Sequence, residues 1–164
     1  MDEDRRGQAQ YGSLRTVVVQ AIEEARLRGS TSVEAEDLLL ALASCGTTET
    51  KQSLERAGLD HESILRALRD ERRHSLAQAG IEAVDDERLV ATPRTDRPSW
   101  GTSVREAVSR GRSTVNRNRN RRAAETDVLV GILLANFGTV PRALTLAGID
   151  RDALIGRLQR ERRL

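Results

Sequence analysis

The sequence predicts an all-α fold of two pseudo-symmetric four-helix repeats joined into one compact bundle, and three observations carry that prediction. Residues 34–72 align with residues 124–162 at a constant offset of ninety and without a gap. Asp37 falls on Asp127, Leu39 on Leu129, Leu54 on Leu144, Leu68 on Leu158 and Glu71-Arg72 on Glu161-Arg162. Apolar residues recur in both copies at the three- and four-residue spacing of amphipathic helices. Glycines also punctuate the copies where helices would end, as in Ala57-Gly58-Leu59-Asp60 and Ala147-Gly148-Ile149-Asp150. A half of this size buried alone would be marginal, so the two should share a core.

Residues 1–10 are expected as a tail, 11–73 as the first repeat, 74–99 as a linker and 100–164 as the second repeat. The first helix, over 13–28, lines up Leu14, Val17, Val18, Ala21, Ile22 and Ala25, and Gly29 closes it. Thr31 with Glu34 suits a capping box for a second helix carrying Leu38, Leu39, Leu42 and Cys45, which stops near Gly46. A third helix spans about 48–57. After the Gly58 corner, Asp60 caps a fourth helix that runs to about 73 and buries Ile64, Leu65 and Leu68. In the linker, Leu76–Glu82 repeats the glycine-corner pattern as a short helical turn, and Pro93 and Pro98 favour extended chain. The second copy sets Val104, Ala107, Val108, Gly111 and Val115 on the first stripe, but Arg112 replaces Ile22 and Arg119 replaces Gly29. Thr126 and Asp127 should open the sixth helix, and two more follow over 139–147 and 150–160.

Composition narrows the function. Hydrophobic residues make up 38% and aromatics 2%, so the core is built from Leu, Val, Ile and Ala. A lone Cys45 and two histidines rule out an internal disulfide and a zinc-ligand pattern. No apolar run reaches the roughly 18 residues of a membrane span. Nor does Met1-Asp2-Glu3-Asp4-Arg5-Arg6 resemble a secretory signal, so the expected location is cytoplasmic, without membrane contact. The net charge of +2 is unevenly placed: residues 1–70 hold 9 basic and 13 acidic side chains (−4), and residues 71–164 hold 18 and 12 (+6). Lys51 is the only lysine and follows no glycine loop, which excludes a P-loop.

No catalytic constellation, metal site or cofactor site is expected, and the chain is read as a non-enzyme. His61 and His74 lack a nucleophile turn, and His61 should be an exposed residue on a helix's first turn. Cys45 lies on an apolar face as a small hydrophobe. Pairs such as Glu23-Glu24 are adjacent in sequence and do not face each other across a cleft. In the run from Asn116 to Arg122, Arg117, Arg119, Arg121 and Arg122 form a candidate anion-binding loop, because guanidinium groups grip phosphates in bidentate fashion. Near-neutral charge and scarce aromatics argue against nucleic acid as the partner.

Val17–Arg26, Glu36–Leu42 and Glu125–Leu133 together resemble the N-terminal repeat domain of the Clp ATPases, the ClpC, ClpA and ClpB unfoldases. The likeness spans about residues 11–162. It implies a freestanding Clp N-domain-like bundle that binds proteins or peptides, a Clp ATPase or its substrates included, as an accessory or decoy of the Clp protease system; the preference for arginine over lysine suits a bacterial source. The likeness also implies two further ligand classes, since ClpC-type N domains bind phosphorylated arginine and are targets of cyclic-peptide antibiotics, and sequestering such antibiotics is the alternative role. Apart from the resemblance, the Arg/Asn-rich loop offers a third role, as a nucleic-acid-linked regulator. In the family's phosphoarginine pocket a glutamate pairs with an early threonine of each repeat. Glu36 stands at the first glutamate and Thr126 at the second; Tyr11 and Gly101 stand at the threonines, and Asp37 and Asp127 at the family's histidine. Trp100 occupies the family's aromatic position at the start of the second repeat, as a cap over the junction or an anchor for peptide.

Overall fold

Each apolar stripe becomes the buried face of a helix. The computed structural model describes residues 2–81, 92–114 and 124–161, with side chains from Leu14 onward. The first half contains α1 (Asp2–Leu27), α2 (Ala35–Cys45), α3 (Thr48–Arg56) and α4 (His61–Gln78). The second contains α5 (Thr102–Thr114), α6 (Glu125–Leu133), α7 (Thr139–Leu146) and α8 (Arg151–Glu161). The all-α expectation holds, with α1 to α4 matching α5 to α8 in order.

α2 and α6 form the centre. Leu38, Leu39, Leu40, Ala41 and Leu42 are all buried, as are Val128, Leu129, Val130, Ile132 and Leu133. A helix that is apolar on nearly every side must be surrounded, and these two are. One continuous apolar cluster takes in residues from both halves, so the repeats share a core. The glycine corners are the same in both copies. Gly58 and Gly148 sit at φ 75° and 70°, a backbone region that glycine enters without penalty. There the Leu59 N–H reaches Leu54 O, and the Ile149 N–H reaches Leu144 O, each at 2.9 Å. Asp60 and Asp150 then accept the Ser63 and Ala153 N–H groups at 2.7 and 2.9 Å.

Two matched glutamates hold the halves together. Buried Glu71 of α4 accepts Arg142 Nε of α7 at 2.7 Å. Its counterpart Glu161 of α8 accepts Ser53 Oγ of α3 at 2.9 Å, with Arg56 at 3.4 Å. Each glutamate crosses to the opposite half.

The structure corrects several expectations. α1 begins at Asp2, eleven residues before the start read from the sequence. α4 continues through His74 to Gln78, because no helix breaker intervenes before Gly80. The corner expected as a separate turn is the cap of α4 itself, where Ile81 N–H donates to Leu76 O. A short parallel ribbon, absent from the sequence reading, pairs β1 (Ser32–Val33) with β2 (Ser99–Trp100). It draws Ser32 and Val33 out of the helix start, so Glu34 rather than Thr31 is the N-cap of α2. No described helix is long and apolar enough to cross a membrane.

Candidate ligand-binding surfaces

The start of α2 holds a buried charged cluster. Asp37 is fully buried, and its Oδ2 accepts the Glu34 N–H at 2.8 Å. Arg28, at the end of α1, sets its Nε 3.3 Å from Asp37 Oδ1 and its NH2 3.3 Å from Glu36 Oε1. Burial pushes the Asp37 carboxyl up to about 7, against the opposing pull of Arg28 and the Glu34 N–H. Nearby, buried Glu24 receives Gln20 Nε2 and faces His61 Nε2, both at 3.0 Å. His61 is therefore not the free surface residue expected; it docks α4 onto α1.

Glu34 reaches in the other direction. Ser32 Oγ donates to its Oε1 at 2.8 Å and Ser103 Oγ to its Oε2, while the Ala35 N–H donates to Ser103 Oγ at 2.8 Å. The carboxylate lies against Gly101, where any added Cβ would overlap it. Gly101 directly precedes α5, so the chain's own anion sits where the unpaired N–H groups and dipole of α5 favour negative charge. The missing side chain at Gly101 is what admits it.

The second copy is built differently. Asp127 repeats the role of Asp37, accepting the Ala124 N–H at 2.9 Å. Alanine replaces Glu34 here, so nothing corresponds to its carboxylate. Glu125 is instead 5% exposed and accepts the Thr47 N–H at 2.7 Å, joining α6 to the turn before α3. Among the described residues its Oε1 has no hydrogen-bond partner. Burial, and then Glu125, push the half-buried Cys45 thiol up, which makes it a poor nucleophile.

The sequence-derived site residues are scattered. Glu36 is held by Arg28 and is largely buried. Thr126 is half-buried in the first turn of α6. Trp100 is half-buried and packs against the core, its backbone in register with Val33. Tyr11 lies within α1, but its side chain is outside the described residues, as are Arg117, Arg119, Arg121 and Arg122. Among the described residues no cluster of His, Cys, Asp and Glu could hold a metal ion. The sequence reading missed Glu34, Arg28 and Glu24. Only Glu34, three residues before Asp37, left a signal, in the capping spacing. It also missed Phe137, the only phenylalanine, which stands 92% exposed in the α6–α7 turn.

Comparison with solved structures settles the fold. The chain matches the crystal structure of the Hsp104 N-terminal domain from Candida albicans, with a TM-score of 0.61 and 12% identity. The match covers 92% of this chain and 89% of that one. The chain has a Clp/Hsp100 N-domain fold. No protein-family profile matches it, and no curated protein does.

Proposed function

We propose that this chain is a non-enzymatic module that binds proteins or peptides, an accessory or decoy of a Clp unfoldase–protease. The observation that carries the reading is the N-domain fold extending over nearly the whole chain. It fits the role implied by the sequence resemblance, recruitment of substrates and adaptors. Phe137 supplies a feature that suits this role. Large aromatic side chains act as anchors when a partner desolvates them, and this one is already presented to solvent.

The arrangement around Glu34 bears on ligand choice. An arginine phosphate seeking the α5 N-terminus would have to displace a carboxylate already held by Ser32 and Ser103. Unmodified polypeptide is therefore the favoured ligand, with Trp100 and Phe137 as candidate apolar contacts. The test is a pull-down with the immobilised chain, offered Clp unfoldases, unfolded proteins and arginine-phosphorylated proteins. Enrichment of unfolded protein or of the unfoldase is expected; failure to enrich any of the three removes the proposal.

A further inference from the structure

The outer face of α5 carries a feature that the other repeat lacks. Arg105, Val108, Ser109, Arg112 and Ser113 line an open concavity of about 370 Å³. The two arginines, Ser109 and Ser113 are exposed, and Val108 is half-buried against the core. Among the described residues the side chains of Arg105 and Arg112 make no hydrogen bond or ion pair. Arg110, on the neighbouring face, is by contrast engaged by Glu106 and by Gly131 O.

Ninety residues earlier, the same positions of α1 are Arg15, Val18, Val19, Ile22 and Glu23. One copy thus presents two valines, an isoleucine and a glutamate that pairs with Arg26. The other has exchanged Val19 for Ser109, Ile22 for Arg112 and Glu23 for Ser113. No core demand explains the exchange, since position 112 points to solvent. The change replaces an apolar or acidic lining with hydrogen-bond donors and one more positive charge.

We infer that this α5 concavity is a docking site for an acidic stretch of extended polypeptide, with two carboxylates flanking an apolar residue. Along the helix, Arg105 and Arg112 are two turns apart, about 10.5 Å, with Val108 between them. In an extended chain, residues i and i+4 share a face and lie about 13 Å apart, with i+2 between them. Flexible arginine side chains span the difference. A carboxylate on each guanidinium and an apolar side chain on Val108 would satisfy the stripe, with Ser109 and Ser113 left to bond the peptide backbone. Nucleic acid fits less well, because none of the lining residues offers an aromatic face for a base.

This inference rests on the protein-binding reading and names the partner chemistry at one of its surfaces. The test uses the full chain and a fluorescent peptide, Gly-Glu-Ser-Leu-Ser-Glu-Gly, followed by anisotropy. Arg105→Gln and Arg112→Gln should each weaken binding about threefold to fivefold, and together about tenfold or more. Both changes are on exposed side chains, so an unchanged melting temperature checks that the fold is intact. Binding should weaken with added salt and vanish when the glutamates of the peptide become glutamines. Equal binding by the doubly substituted protein, or arginine-dependent binding of a single-stranded oligonucleotide at equal strength, overturns the assignment. An uncharged unfolded polypeptide, run in parallel, separates the two levels. If it binds wild type and variant alike while the acidic peptide binds neither, the α5 site is wrong and the general reading stands. If neither ligand binds wild type, both fall.

Discussion

Gly131 offers a contest between two effects of opposite sign. α5 and α6 cross through Gly111 and Gly131, where the matched α1 and α2 positions are Ala21 and Ala41. A Cβ on Gly131 would lie 2.7 Å from Gly111 N and 2.9 Å from the Ala107 carbonyl carbon, with the carbonyl oxygen nearer still. Ordinary contact begins at 3.4 Å, so the nearer of these two atoms alone demands a shift of 3.4 − 2.7 = 0.7 Å. The obstructing atoms are backbone, so a whole helix must move. Such overpacking costs roughly 1–3 kcal/mol and more where backbone resists, while alanine in place of a mid-helix glycine returns at most about 1 kcal/mol. Packing should win at Gly131→Ala by about 2 kcal/mol, lowering the melting temperature by roughly 4–8 °C for a protein of this size. Gly156→Ala in α8 is the control, since among the described residues the flexible end of Arg160 at 3.4 Å is its only close neighbour. There propensity should win, raising the melting temperature by about 2–4 °C. Thermal unfolding followed by far-UV circular dichroism measures both. A Gly131→Ala protein as stable as wild type would refute the close α5–α6 packing.

Three other outcomes follow from the geometry. Asp37 has a folded-state pKa raised from 3.8 to about 7, so the native state retains a proton that the unfolded chain releases, and stability falls as pH rises through that interval. Asp37→Asn should flatten the profile of unfolding free energy between about pH 4 and 7, by at most roughly 4 kcal/mol; urea melts at several pH values check it, and parallel profiles would contradict it. Glu71→Ala removes the buried acceptor of Arg142 and Ser75 and should cost about 2–3 kcal/mol, measured by urea unfolding; a loss under about 0.5 kcal/mol would show that the link between α4 and α7 carries little. Phe137→Ser should leave the melting temperature unchanged, given its exposure, yet weaken binding of unfolded polypeptide several-fold by anisotropy; equal affinity would remove Phe137 from the binding surface.

The core was legible because helical spacing and a constant offset both depend only on which residues are apolar. Leu39, Leu54, Leu68 and their partners Leu129, Leu144 and Leu158 are all buried as the repeat required. The glycine corners were legible because a positive φ leaves few alternatives to glycine. The candidate site was much less so. Glu34 reads as a cap, but its carboxylate is fixed by Ser103 and by the room beside Gly101, nearly seventy residues away in sequence. The β1–β2 ribbon is two residues on each side, too short to leave a periodicity. Glu71 and Glu161 were visible as a matched pair, but their reach across the halves depends on packing that no local pattern encodes. His61 was misread for the same reason, since Glu24 comes to it from another helix.

Polypeptide binding is the proposed role of this chain. It is tested most directly by equilibrium anisotropy of a fluorescent, permanently unfolded protein titrated with the full chain. Saturable binding that unlabelled unfolded protein competes away is expected. A flat titration, with the chain shown to be folded by circular dichroism in the same buffer, would contradict it.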